Sequence, residues 1–219
     1  MKRSFTLVEL LVVTVIISII VGAVVPAFTR LMTGNAVSYG LRMTTSQLNM
    51  ARTEACVRRR YVAVVFLDKA SDEAGAYLPA DGDNIGYRCA FRSCYVTRNG
   101  AGDYTFGIKE KETDSDPKWT WVPGTKWEYL PKGAYFGNLN NLIALKNVVD
   151  KDGLFKDTFA HDVSAVIFSD SGRSADKTAF EVEVHEGVVT DNKTVTRNNN
   201  ADNKLTAKVN RYTGSVRTE

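Results

Sequence analysis

The sequence predicts an α+β fold in which one long N-terminal helix, its first half spanning a membrane, packs on a mostly antiparallel β-sheet domain. Three observations predict it. Phe5 to Ala27 is apolar apart from Glu9 and a few small hydroxyl residues. Apolar residues then recur at helical spacing as far as Val57. Beyond Tyr61, short β-branched and aromatic runs alternate with stretches rich in Gly, Asp and Pro.

The first of these elements is about 23 residues long, and a helix crosses a bilayer core with about 20. Lys2 and Arg3 precede it, so the positive-inside rule keeps them cytoplasmic and sends the rest across the membrane. Charge is uneven along the chain. Residues 1–60 hold eight Lys or Arg against two acids, and the remainder holds twenty against twenty-three, a balance of −3. That balance argues against an outer domain that binds nucleic acid over its whole surface.

Two general readings suit the first thirty residues. A secretory signal peptide would use Lys2 and Arg3 as its basic region, Leu10 to Ile20 as its apolar region and Val21-Gly22-Ala23 as its cleavage site. A signal anchor would keep the segment. A third reading comes from SFTLVELLVV, which resembles the cleavage and methylation motif of type IV prepilins. Ser4 stands where that family usually has Gly. The resemblance implies a leader of residues 1–4, cut between Ser4 and Phe5, with N-methylation of Phe5 by a prepilin peptidase/methyltransferase.

Glu9 gives this resemblance a physical content. A carboxylate within an apolar segment is costly and marks function by default. After cleavage it lies four residues from the Phe5 amine, about 6 Å along the helix. In a filament it neutralises the amine of a neighbouring copy and so sets register. A discarded signal peptide has no use for it.

The helix continues past Pro26, Gly34 and Gly40, where it is expected to bend or loosen, Pro26 being the bend. Residues 5–27 are read as the membrane segment and 28–60 as an amphipathic continuation. Val37, Leu41, Leu48, Ala51 and Ala55 form the apolar stripe, with Thr44 or Thr45 filling its gap. QLNMARTEACVRRRYVAVVF resembles the end of this helix in minor pseudopilins of the GspH/FimT type, around Ala51-Arg52-Thr53-Glu54-Ala55. Arg58, Arg59 and Arg60 suit the negative end of the helix dipole. They are also the candidates for a weak DNA contact, since some FimT-type relatives bind DNA.

Residues 61–219 are read as the β-rich outer domain, periplasmic or extracellular. Tyr61–Leu67 is its first strand; Gly86–Thr97 and Asp103–Ile108 carry one or two more. Lys109–Lys118 is a charged loop and Asn138–Val149 a short helix. Val163–Ser169 and Ala179–Val184 form a hairpin around Asp170–Gly172, similar to the Gly-Arg hairpin of GspH-type domains. Asp191–Lys204 is a loose connection, and Leu205–Asn210 with Ser215–Arg217 closes the domain around Tyr212-Thr213-Gly214. Trp119 and Trp121 are read as core packing. Cys89 and Cys94 stand close enough in sequence to pair in an oxidising compartment, or to be two buried thiols; Cys56 is left over.

No catalytic constellation is read. His161 and His185 lack ligand spacing, Ser171 lies in no nucleophile elbow, and Asp81-Gly82-Asp83-Asn84 lacks the later glutamate of a calcium loop. No cofactor or metal is expected. The resemblance implies a non-enzymatic minor pseudopilin that initiates or caps the filament of a type II secretion system, or alternatively a FimT-like minor pilin of a type IV pilus that touches DNA during uptake. Its implied partners are other pilin or pseudopilin subunits, the peptidase/methyltransferase and the bacterial inner membrane, crossed once. Nucleic acid is a partner only in the alternative.

Overall fold

The computed structural model describes residues 7–67, 89–108, 120–148, 161–175, 178–189, 195–197 and 203–219. The charged run at 109–118, Trp119, and the Asp81–Asn84 turn lie outside them.

One helix, α1 (Leu7–Arg58), is continuous through Pro26, Gly34 and Gly40. Among the described residues it is followed by eleven strands: β1 (Tyr61–Phe66), β2 (Ala90–Arg98), β3 (Tyr104–Phe106), β4 (Glu128–Tyr129), β5 (Ala134–Asn140), β6 (Ile143–Val148), β7 (His161–Phe168), β8 (Phe180–Val189), β9 (Val195–Arg197), β10 (Lys204–Val209) and β11 (Val216–Thr218).

The mostly antiparallel sheet domain expected is divided between a mixed barrel and a second sheet. β1, β7, β6, β3 and β2 follow one another and β2 pairs back onto β1, which closes a small barrel with β4 on its rim. Its pairings are antiparallel except β3–β6, which is parallel, so the barrel is mixed. A second, antiparallel sheet runs β11-β10-β8-β5, with β9 beside β8.

Closure explains the composition of β1. Val62, Val64 and Phe66 face the helix and the second sheet, while Ala63, Val65 and Leu67 point into the barrel. Both faces are buried, so the strand is apolar throughout rather than alternating. The interior of so narrow a barrel admits small side chains beside large ones. Ala63, Ala90, Cys94 and Ala165 share it with Tyr104, Phe106, Leu145 and Ile167.

The other core lies between barrel, helix and second sheet. Val37, Leu41, Leu48, Ala51 and Ala55 all enter it, and Thr44 fills the gap with its hydroxyl donating to Gly40 O at 2.9 Å. Gly40, expected to loosen the helix, is instead where the helix backbone approaches the sheet closely: a Cβ there would meet Leu130 Cδ2 at 3.0 Å.

Two expectations are corrected. Among the described residues no helix is long and apolar enough to cross a membrane. The unbroken described apolar stretch Leu7–Gly22 rises about 24 Å at 1.5 Å per residue, carries Glu9, and falls short of a hydrocarbon core of about 30 Å. The membrane-spanning segment and the single inner-membrane pass expected from the sequence are corrected accordingly. Second, the expected helix over Asn138–Val149 is not formed over its described residues 138–148: they are the end of β5, a turn at Asn141 with φ 60°, and β6. Asparagine tolerates that left-handed geometry, and β6 gains a ladder with β7 that a surface helix would forgo. Of the two readings left open for Cys89 and Cys94, a disulfide or two buried thiols, the structure has the second. Five residues apart on extended chain, they face opposite ways, Cys89 into the helix-side core and Cys94 into the barrel. About 16 Å of extended chain separates them, well beyond disulfide reach.

Candidate functional site

Two ends of α1 carry the residues that the sequence singled out. At the start, Glu9 lies in the first described turn, where the helix dipole favours a negative charge. Ser4 and Phe5 lie outside the described residues. From Leu7 to Val21 the large apolar side chains are 45–81% exposed, and they point in every direction around the axis. Thr14 Oγ1 donates to Leu11 O and Ser18 Oγ to Thr14 O, both at 2.8 Å, so these hydroxyls turn back onto the helix. What remains is an apolar rod with one carboxylate. Apolar surface of this extent marks a place of contact with something outside the chain.

At the far end, the Ala51–Ala55 core is a clamp. Ala51 and Ala55 are fully buried, which lets the helix lie close to the sheet. Glu54 Oε1 accepts a hydrogen bond from the Tyr95 hydroxyl on β2 at 2.7 Å and pairs with Arg58 Nε at 3.2 Å. Burial first, and the Glu54 bond second, push the Tyr95 phenol up to about 12. Gln47 Nε2 donates to Ser93 Oγ at 2.9 Å inside the same interface.

Arg52 reaches further, donating from Nε to Gly172 O at 3.2 Å. Gly172 sits in the β7–β8 turn at φ 71°, where a Cβ would fall 2.3 Å from Cys56 Sγ. Gly214, in the β10–β11 turn at φ 65°, stands so close beneath that a Cβ would meet Gly172 O at 2.0 Å. Three motifs far apart in the chain, Ala51–Ala55, Gly172-Arg173 and Thr213-Gly214, therefore meet at one junction. Both turns need glycine for conformation and for space.

The arginine run is part of that helix end. Arg58 is engaged with Glu54, Arg59 takes φ 52°, and the Arg60 amide donates to Ala55 O at 3.2 Å, capping the last turn. Pro26 lies within the continuous helix. Trp121 packs against Phe106 and Trp127, with ring centroids at 4.9 and 5.3 Å, as core rather than platform. His185 pairs with Glu183 at 2.9 Å, and among the described residues no group of three or more His, Cys, Asp or Glu could hold a metal. Sequence reasoning missed Gln47 and Tyr95 as helix anchors. It also missed a cleft where Arg98, Arg173 and Arg211 converge; their wide spacing in the chain offers no local signal.

Residues 1–25 match the family described as the prokaryotic N-terminal methylation motif. No curated protein matches the chain in sequence. Among solved structures, two crystal forms of the type IV minor pilin FimU from Pseudomonas aeruginosa are similar. The P21 form shares 12% identity at a TM-score of 0.41, with 84% of this chain and 89% of that one covered. The P65 form shares 13% at 0.37, with 83% and 91% covered.

Proposed function

We propose that this chain is a non-enzymatic, pilin-like structural subunit of minor-pilin type, which assembles with other chains of its kind through the first half of α1. The observation that carries the reading is the methylation motif over residues 1–25, continuing into an apolar rod that none of the described elements covers. Neighbouring subunits cover it. A carboxylate buried among packed apolar helices is costly, so Glu9 favours the stagger that brings a neighbour's N-terminal amine to it. The partners are then other pilin-like subunits and a peptidase/methyltransferase that cuts between Ser4 and Phe5.

Intact mass and N-terminal sequencing of protein from its own cell test this. A methylated Phe5 start supports the reading; a start at Met1, or a cut at Ala23 that removes the rod, defeats it. Glu9→Leu should leave the thermal unfolding of the outer domain unchanged while incorporation into filaments drops. Two filaments were expected from the sequence, a type IV pilus and a type II secretion pseudopilus. A gene deletion separates them: loss of surface pili with exoprotein secretion intact identifies the first, and the reverse identifies the second.

A further inference from the structure

The turn between β2 and β3 holds Asn99-Gly100, and Asn99 is the one asparagine of the chain that glycine follows. The pair has a chemistry of its own. The main-chain nitrogen of the residue after an asparagine can attack the side-chain amide and close a five-membered ring. A side chain on that following residue crowds the attack, and glycine has none.

The fold sets this step at a tight hairpin corner. Asn99 N donates to Asp103 O at 2.9 Å, and Gly102 N donates to Asn99 O at 3.0 Å. Gly102 takes φ 92°, so Gly100 and Ala101 form a turn closed by a glycine bulge. Asn99 holds the first position of that turn, where an asparagine side chain reaches forward to the main chain. Its Oδ1 accepts a hydrogen bond from Asp103 N at 2.8 Å.

These contacts give each atom of the Asn99 amide a role. The Asp103 N–H points at the oxygen that gains negative charge when Cγ is attacked, within the about 2.7–3.1 Å of an oxyanion donor. Nδ2, the group that must leave, makes no hydrogen bond among the described residues, and neither does the Gly100 amide. Asn99 and Gly100 are both exposed, so water reaches them. A Cβ on Gly100 would meet nothing within 4 Å, so the corner has room for the ring.

We propose that Asn99 is a site of spontaneous covalent modification, closing on Gly100 and reopening as aspartate or isoaspartate, and that this ages the β2–β3 hairpin. The Gly100 nitrogen bonds to Asn99 Cγ, the Cγ–Nδ2 bond breaks, and ammonia leaves with the Gly100 amide proton. Water then adds to one of the two ring carbonyls. Addition at Cγ releases the nitrogen there and leaves aspartate in a normal main chain. Addition at the main-chain carbonyl leaves the chain running through Cγ, as isoaspartate. No electron is transferred, and water is the co-reactant.

Either product sets a new carboxylate in the turn with Asp103, whose Oδ2 pairs with Lys146 Nζ at 2.9 Å. Isoaspartate also lengthens the main chain by a methylene. β3 is short, held to β2 through Val96↔Phe106, Thr97↔Thr105 and Arg98↔Tyr104, so the added length acts directly on the last of these pairs. The site is independent of the rod and of any filament it enters.

The test is incubation of the full chain in mildly alkaline buffer, with tryptic mapping of the peptide Asn99–Lys109 at intervals. A growing share of that peptide should gain the mass of an amide-to-acid exchange and separate into two products. One of them should accept a methyl group from S-adenosylmethionine on treatment with an isoaspartyl methyltransferase. Gly100→Ala fits the open corner, so it should unfold at the parent's temperature while converting about tenfold more slowly. Asn99→Gln, which would have to close a larger ring, should stay unconverted. Prolonged incubation should lower the unfolding temperature of the parent and spare both variants. An unchanged peptide, or equal conversion in the parent and Gly100→Ala, overturns the proposal. So does a fully converted chain that unfolds like a fresh one.

Discussion

From Leu7 to Val21, α1 is apolar on every side and, among the described residues, meets no other element; from Ala36 to Ala55 the same helix is apolar on one stripe, and that stripe is buried. The backbone is one continuous helix, so the difference lies in where each half finds its apolar partner. The second half finds it in the barrel and the second sheet. Its side chains are fitted to a fixed neighbour: small at Gly40, Ala51 and Ala55 where the surfaces come close, large at Leu41 and Leu48 where they part. The first half has no such fixed neighbour and shows no such sizing. A rod that must meet copies of itself at a repeating stagger needs general apolarity and one mark of register, which Glu9 supplies.

Substitutions can break that contrast in order of severity. Gly214→Val attacks the junction that seats the second half. It places a Cβ against Gly172 O in a left-handed backbone, so a loss of about 3–5 kcal/mol in urea unfolding is expected. Leu48→Ala empties a fully buried site on the helix and should cost about 2–5 kcal/mol. Ile16→Ala, the same kind of truncation in the first half, should change single-chain stability by no more than about 0.5 kcal/mol. Equal losses at the two positions would abolish the distinction between the halves.

Tyr95→Phe removes the bond to Glu54 and should cost about 1 kcal/mol. Its sharper signature is in pH. The folded phenol titrates near 12 against an ordinary value of 10, so the folded state holds the proton more firmly than the unfolded. Stability from this group is complete below pH 10 and is lost as pH rises toward 12. The phenylalanine variant should show a shallower alkaline loss over that window, read by denaturant midpoints at successive pH values. The smallest effect concerns thiols. Burial pushes Cys89 up to about 12 and Cys94 higher still, whereas Cys56 is exposed. Brief alkylation of native protein, followed by mass spectrometry, should give one adduct, at Cys56. Prompt modification of all three would mean that the cores open readily.

Local pattern carried much of this molecule. The stripe from Val37 to Ala55 was legible because helical periodicity reports directly which face is buried. The strands at Tyr61, Val163 and Leu205 were legible from their β-branched runs. Asn138–Val149 was misread because a short apolar run with alternating asparagines suits a helix turn and a strand equally, and only pairing with β7 decides between them. Cys89 and Cys94 were left open between a disulfide and two buried thiols for a related reason. Nearness in sequence says nothing about which face of a strand each residue occupies.

By itself, then, the sequence determined the helical rod with its single acid, the stripe that docks its second half, and the glycines that two tight turns demand. These are properties of neighbours within a few residues, set by periodicity, steric freedom and the cost of placing charge. The tertiary structure alone decided that the strands close into a mixed barrel, that three distant motifs meet at one junction, and that Arg98, Arg173 and Arg211 share a cleft. Each of those depends on contacts between residues tens of positions apart, which no local preference encodes.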